Sequence, residues 1–177
     1  TLLDFLIKDG GESWLLSNHT EQRSPLTAVA NTSILTCQTY RFKDNSSNNS
    51  AITLAGTPSV QAFSPFSPGV AYSPSLHGGS GYFDGVGDYL LITEPGPAPA
   101  GTDVTVECWV YPTDTSLSNT WGVIDARSAG ATAGPWLMGL GSYSSGWLMT
   151  FFNGTTYNGT TRIQANTWTH CAWHWCA

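Results

Sequence analysis

The segment 103–111 (DVTVECWVY) constrains the fold more than any other part of the chain. Every second residue in it is small and apolar: Val104, Val106, Cys108 and Val110. Side chains of a β-strand point alternately to its two faces, so these four share one face. The residues between them include Trp109 and Tyr111, which are bulky enough to need cover on the other face. Pro112 ends the strand because it has no N–H to donate to a neighbour. The pattern predicts a strand that is at least partly covered on both faces.

Short apolar segments separated by turn residues recur along the chain. Nine further strand candidates are residues 33–38, 51–55, 81–83, 89–93, 122–125, 136–140, 147–152, 160–164 and 169–173. Asn153-Gly154 and Asn158-Gly159 tolerate positive φ and favour tight turns, so residues 151–157 are predicted to form a hairpin end. Helical periodicity is nearly absent, and 19 glycines and 10 prolines disfavour long helices. The chain is therefore predicted to be all-β, with the architecture of an antiparallel β-sandwich.

The charge composition excludes two classes of partner. The chain has 6 Lys and Arg residues against 12 Asp and Glu residues, and only Arg41 and Lys43 lie near each other. Because nucleic acids and anionic membranes are bound by clustered positive charge, we expect neither as a partner. No apolar run reaches the roughly 18 residues of a membrane span.

Four cysteines permit three disulfide pairings, and the sequence does not choose among them. Buried thiols are the favoured alternative, because Cys108 occupies an apolar strand position where a thiol behaves as a small hydrophobic group. A metal clip formed by Cys171 and Cys176 with His170 and His174 is a weaker alternative, since structural zinc sites have closer cysteine spacing.

Several segments resemble one family in both order and spacing. They are residues 81–90 (GYFDGVGDYL), 105–112 (TVECWVYP) and 168–172 (WTHCA), preceded by 33–37, 42–48 and 51–54. Together they are similar to the laminin G-like domains of the concanavalin A-like lectins and glucanases, over about residues 33–172. The resemblance implies a jelly-roll sandwich, in which we expect Phe83, Val106 and Trp168 to share one interior.

The resemblance also implies a domain boundary near residue 30. Residues 31–177 correspond to the jelly-roll domain, and residues 1–30 look like the end of a preceding unit plus a linker. Family domains continue with several strands after the Trp-x-His strand, so we expect this domain to be incomplete at its C-terminus. The joint at 25–33 and the loop at 63–68 are similar to repetitive virion-surface and tail-fibre proteins of bacteriophages.

Catalytic chemistry is not expected. A glycosidase needs two carboxylates about 5–10 Å apart, and catalytic relatives carry them as a cluster on one strand. Glu107 stands alone on its strand, with Asp103 and Asp114 at loop ends, so a structural role is favoured for it. The chain is predicted not to be an enzyme.

Calcium is the candidate cofactor. Asp84 and Asp88 bring carboxylates into one glycine-containing turn, and Asp44 with Asn48 offers a second oxygen-rich cluster. Calcium is coordinated by carboxylate, amide and carbonyl oxygens of this kind. The alternative is that these residues only hold their turns.

Aromatic side chains beside polar loop residues are typical of sugar sites. The candidate ligand-binding residues are Trp121, Trp136, Tyr143, Trp147, Asn153 and Tyr157. Trp136 and Trp147 lie inside strand patterns, where core packing is the favoured alternative. Tyr143 and Tyr157 lie between turn residues and are the better candidates for exposure.

These observations predict an extracellular or virion-surface recognition module that binds glycans or host-cell polysaccharide. Its other expected partners are neighbouring repeats of the same chain. A ligand-free spacer of the same fold is the main alternative, and a glycoside hydrolase is a weaker one.

Overall fold

A computed structural model describes residues 2–9, 25–66, 73, 78–93, 103–114, 121–127, 136–141, 147–152 and 155–176. All the regular secondary structure in these ranges is β-strand. The strands are β1 Leu2–Asp9, β2 Thr32–Leu35, β3 Ile52–Ala55, β4 Ser59–Gln61, β5 Ser80–Tyr82, β6 Tyr89–Ile92, β7 Val104–Tyr111, β8 Trp121–Asp125, β9 Trp136–Gly141, β10 Trp147–Phe152, β11 Thr155–Arg162 and β12 Thr169–Trp175. The all-β prediction is confirmed. No helix in the described ranges is long and apolar enough to cross a membrane.

The strands form three antiparallel sheets. The largest has six strands in the order β12-β7-β1-β5-β4, and β2 also pairs with β1. A four-stranded sheet has the order β11-β10-β9-β8, and β3 pairs with β6 in a small third sheet. The register pairs Phe152 with Thr155, which confirms the predicted hairpin between β10 and β11.

The core lies between the six-stranded and the four-stranded sheet. Every second residue of β7 is buried, from Val104 to Val110, and the residues between them are half-buried. These side chains share one apolar cluster with Met138 and Leu140 of β9 and with Ile163. The predicted alternation of β7 is therefore confirmed. Its buried residues mark the face of the six-stranded sheet that packs against the four-stranded sheet.

β1 lies inside the six-stranded sheet. Its eight residues pair with the whole of β7, from Leu2 opposite Tyr111 to Asp9 opposite Val104. On its other side it pairs with β2 and β5. The segment assigned by sequence to a preceding unit thus completes the sheet that holds the core, while the domain boundary at residue 30 stays a prediction.

Two local predictions are wrong, and one strand was missed. Asn158-Gly159 is not a turn but part of β11, where a bulge lets Gly159 approach Leu148 so closely that a Cβ would lie 3.2 Å from its carbonyl oxygen. β4 has no apolar pattern and was not predicted. Trp168 does not share the interior with Phe83 and Val106; its ring lies 5.4 Å from that of Tyr111, on the other face of β7.

A buried carboxylate organises the segment after β2. Asp44 is 1% exposed and accepts four hydrogen bonds, from the N–H groups of Leu35, Ser46 and Ser50 and from the Ser46 hydroxyl. Asn48 donates to the carbonyl of Ser33 at 3.0 Å and ties the same turn to β2. The Asp44–Asn48 cluster is thus used to hold its own turn.

Candidate functional site

The four-stranded sheet has one face toward the core and one away from it. Alternation from the core residues of β9 places three cross-strand rows on the second side. The rows are Asp125, Leu137, Phe151 and Thr156; Gly122, Gly139, Met149 and Asn158; and Gly141, Trp147 and Arg162. We call these residues, together with Arg127, the outer face. Trp147 belongs to it by register position.

Glycines occupy the middle of the outer face. Gly122 and Gly139 are register partners on adjacent strands, and Gly141 lies two residues further along β9. Leu137 and Met149 beside them are 2% and 7% exposed. Gly139 and Gly141 are themselves buried, so this glycine strip is covered in the folded chain, and the accessible part of the outer face lies at its edges.

A charged pair lies at the edge of the outer face, beside this glycine strip. One carboxylate oxygen of Asp125 accepts the backbone N–H and the Nε–H of Arg127, both at 2.9 Å, and the other accepts Nη2–H at 2.8 Å. The guanidinium carbon lies 5.9 Å from the centre of the Phe151 ring. Asp125 and Arg127 keep 42% and 27% of their side chains exposed. The bidentate Asp125–Arg127 pair and the Phe151 ring thus place a hydrogen-bonding group beside an aromatic surface.

Both members of the pair are charged at neutral pH. Burial raises the pKa of Asp125, but the hydrogen bonds and positive charge of Arg127 lower that pKa by more. The hydrogen bond from Arg127 to Asp125 in turn raises the pKa of the guanidinium. The pair carries no net charge, and both of its side chains stay partly exposed.

Trp136, a predicted ligand residue, is a core residue. It is 3% exposed and its ring lies 6.0 Å from that of Trp173. Alternation along β9 puts it on the same side as Met138 and Leu140, so no ring face remains for a sugar. The prediction of Trp136 as a binding platform is therefore corrected.

The other predicted ligand residues are distributed over the four-stranded sheet. Tyr157 is 49% exposed on β11, as expected, but its register partner is Thr150, so it is not in an outer-face row. Trp121 is the register partner of the core residue Leu140, and Trp147 that of Gly141. Tyr143 and Asn153 lie outside the described residues.

The Asp84–Asp88 turn uses its carboxylates locally. Asp84 Oδ1 accepts the N–H of Val86 at 2.7 Å, and Asp88 Oδ2 accepts the N–H of Asp84 at 3.1 Å. Asp88 Oδ1 accepts the N–H of Thr57 at 2.6 Å, which joins the turn to the segment between β3 and β4. Within the described ranges no group of three His, Cys, Asp or Glu residues is placed to hold a metal ion.

The four side chains of the possible metal clip, His170, Cys171, His174 and Cys176, do not all come together either. Cys171 lies in the core, whereas His170 packs at a ring distance of 5.2 Å from Trp109 on the other face of the sheet. His174 contacts Thr105 and Cys176. Alternation along β12 therefore separates Cys171 from both histidines.

Glu107 lies among aromatic side chains on the far side of the six-stranded sheet. Its carboxylate is 3.8 Å from His170 Nε2, and the two side chains are 13% and 16% exposed. Trp109 beside it contacts Phe66, with ring centres 5.7 Å apart. This packed setting supports the structural role that the sequence predicts for Glu107.

Comparison with protein families matches residues 83–176 to Laminin_G_3, described as the concanavalin A-like lectin/glucanases superfamily. The matched segment is more than half of the chain and runs from Phe83 to Cys176. The chain belongs to the concanavalin A-like lectin/glucanase superfamily. Searches of the curated proteins and of the solved structures returned no match.

The superfamily match contains β7, the whole four-stranded sheet and β12, so the outer face belongs to it. Asp125, Arg127 and Phe151 were not among the predicted site residues. Their signal in the sequence is weak, because it requires the pairing of β8, β9 and β10 to be known. The Asp125-Ala126-Arg127 spacing alone could have suggested an ion pair.

Proposed function

We propose that this lectin/glucanase-like domain is a non-catalytic module that binds carbohydrate on the outer face of its four-stranded sheet. The observation that carries the proposal is the partly exposed Asp125–Arg127 pair held beside Phe151 at the edge of the outer face. Sugars combine apolar C–H faces with hydroxyl groups that both donate and accept hydrogen bonds. An aromatic ring beside a carboxylate–guanidinium fork matches both properties.

Electrostatics favour a neutral sugar over a charged ligand. Asp125 and Arg127 neutralise each other, and Asn158 and Thr156 add uncharged hydrogen-bonding groups from the exposed strand β11. Only 10% of all residues are charged. Arg162 is the one further charged residue among the described outer-face residues, so the face offers hydrogen bonds without the clustered positive charge that attracts phosphate or sulfate groups.

We also propose that the domain does not hydrolyse glycosidic bonds. Among the described residues of the outer face Asp125 is the only carboxylate, and its oxygens are bound to Arg127. Cleavage of a glycosidic bond needs a second carboxyl group across the bond. Laminarin or agarose incubated with the protein should release no reducing ends; released ends would contradict the proposal.

Removal of the Arg127 guanidinium should weaken binding about tenfold, the usual effect of losing one or two charged hydrogen bonds. The wild-type chain is first screened on a glycan array, and each bound glycan is then titrated against Arg127→Ala and Phe151→Ala. Lys43→Ala is the matched control, because it removes one exposed cation outside the face.

If Arg127→Ala and wild type bind a glycan with equal affinity, the outer face is not the binding site. An array on which the protein binds no glycan would favour the ligand-free spacer, which the same fold permits.

Whether the domain binds a glycan or is a spacer, we propose that it serves at an extracellular or virion surface, as one of several units along a fibre. The low charge and the resemblance at residues 25–33 and 63–68 support this context.

The calcium prediction for Asp84 and Asp88 has its own test. Bound calcium stabilises a folded protein, so added calcium should raise the melting temperature of wild type and EDTA should reverse the rise. Asp84→Asn should abolish the effect. An unchanged melting temperature in millimolar calcium would leave the two carboxylates as turn acceptors only.

A further inference from the structure

Two cysteines face each other across neighbouring strands. β7 and β12 are antiparallel, and the register pairs Cys108 directly with Cys171. Cys108 is 0% exposed and Cys171 is 3% exposed, and both belong to the core cluster. Paired residues on adjacent strands point to the same face. Both sulfur atoms are therefore on the inner side of the six-stranded sheet.

This pairing satisfies the distance requirement of a disulfide. Directly opposed residues of antiparallel strands have Cα atoms about 4.5 or 5.5 Å apart, depending on the hydrogen-bonding position. Disulfides span Cα distances of about 4.4–6.8 Å. Cys108 and Cys171 thus fall within the Cα range in either case.

The topology separates Cys37 from Cys108 and Cys176 from Cys171. Cys37 follows β2, which is separated from β7 by β1, so it lies two strand spacings or about 10 Å from Cys108. Cys176 follows β12 and is five residues from Cys171 on nearly extended chain, about 17 Å away. Both separations exceed what a disulfide can bridge.

We propose that Cys108 and Cys171 are a disulfide-forming pair that joins β12 to β7. The step is thiol–disulfide exchange with a small-molecule disulfide such as oxidised glutathione. The Cys171 thiolate attacks one sulfur and releases one glutathione thiolate; the Cys108 thiolate then attacks the mixed disulfide and releases the second. The two cysteine protons end on the two glutathione thiols, so one disulfide is reduced as one is formed.

The position of β12 explains why such a link matters and when it can form. In the described part of the six-stranded sheet, β12 is an edge strand that pairs with β7 alone. Edge strands open more easily than central ones, and opening β12 exposes Cys171. Oxidation should therefore be fast during refolding and slow in the folded protein, where the core covers both sulfurs.

The experiment refolds the wild-type chain from denaturant in a mixture of reduced and oxidised glutathione. The expected product has lost two hydrogen atoms by intact mass, and its proteolytic peptides contain Cys108 linked to Cys171. Its melting temperature should exceed that of the reduced protein by on the order of 10 °C, because the crosslink closes a long loop. Cys176→Ala is the control and should give the same product, since it removes the exposed thiol.

Two results would overturn the proposal. One is alkylation of both Cys108 and Cys171 when the refolded protein is unfolded without reductant. The other is a disulfide that involves Cys37 or Cys176 as the main product. These measurements use the wild-type chain, so the test does not depend on whether a Cys108 variant folds.

Discussion

Asp44→Asn is expected to lower the free energy of unfolding by about 3 kcal/mol, because buried donors lose their acceptor. The carboxylate of Asp44 accepts four hydrogen bonds at 2.8 to 3.1 Å, three of them from backbone N–H groups. An asparagine of the same size turns one acceptor into a donor, which then faces the N–H of Ser46 or Ser50. Urea denaturation, followed by tryptophan fluorescence, measures the change.

Asp84→Asn is the matched control for this substitution. Asp84 is exposed and its Oδ1 accepts one backbone N–H, from Val86. An asparagine oxygen can accept the same bond, so its free energy of unfolding should change by less than about 0.5 kcal/mol. Equal losses in the two variants would show that Asp44 does not hold the turn after β2.

The same carboxylate gives the fold a defined response to acid. Burial raises the pKa of Asp44, but hydrogen bonds from Ser46, Ser50 and Leu35 lower it by more, so the net shift is downward. A lowered pKa in the folded state stabilises the protein at pH values above the unfolded-state pKa of about 3.9. That contribution is lost as the pH falls through the folded-state pKa. Between pH 5 and 2, wild type should therefore lose more stability than Asp44→Asn.

Val106→Asp is expected to prevent folding. Val106 is 0% exposed in the middle of β7, and it belongs to the apolar core cluster. An unpaired carboxylate there costs more than about 4 kcal/mol, a large part of the stability of a domain this size. Circular dichroism and urea denaturation at 25 °C would show an unfolded or barely stable chain.

The neighbouring residue supplies the control for the two faces of β7. Thr105 is half-buried on the opposite side, and its hydroxyl lies 2.7 Å from His174 Nδ1. A carboxylate at position 105 can contact that histidine, so Thr105→Asp should cost less than about 1 kcal/mol. Similar losses for the two variants would contradict the two-faced packing of β7.

The strands could be predicted because their signal is local. Residues 104–111 alternate over a full strand, and Asn153-Gly154 falls in the sequence between the paired strands β10 and β11. β4 could not be predicted from Ser59, Val60 and Gln61, since it is a strand only through its pairing with β5. The prediction of a turn at Asn158-Gly159 was wrong for the same reason. The role of this dipeptide depends on Leu148 across the sheet, which the local sequence does not reveal.

The candidate site was harder to predict than the fold. Aromatic residues were chosen by type, yet Trp136 is in the core and Tyr157 is not in an outer-face row, because alternation decides the side of the sheet. Asp125, Arg127 and Phe151 meet only when β8, β9 and β10 are placed in register. Asp44 has the residue type of a calcium ligand, but four protein donors occupy its oxygens.

The positions of β1 and β12 on either side of β7 determine how the domain would resist tension. Leu2 lies level with Tyr111, at one end of β7, and Trp175 lies level with Val104, at the other. A pull between Leu2 and Trp175 therefore acts along the strands and loads both ladders of hydrogen bonds in shear. Rupture then requires many hydrogen bonds to break together.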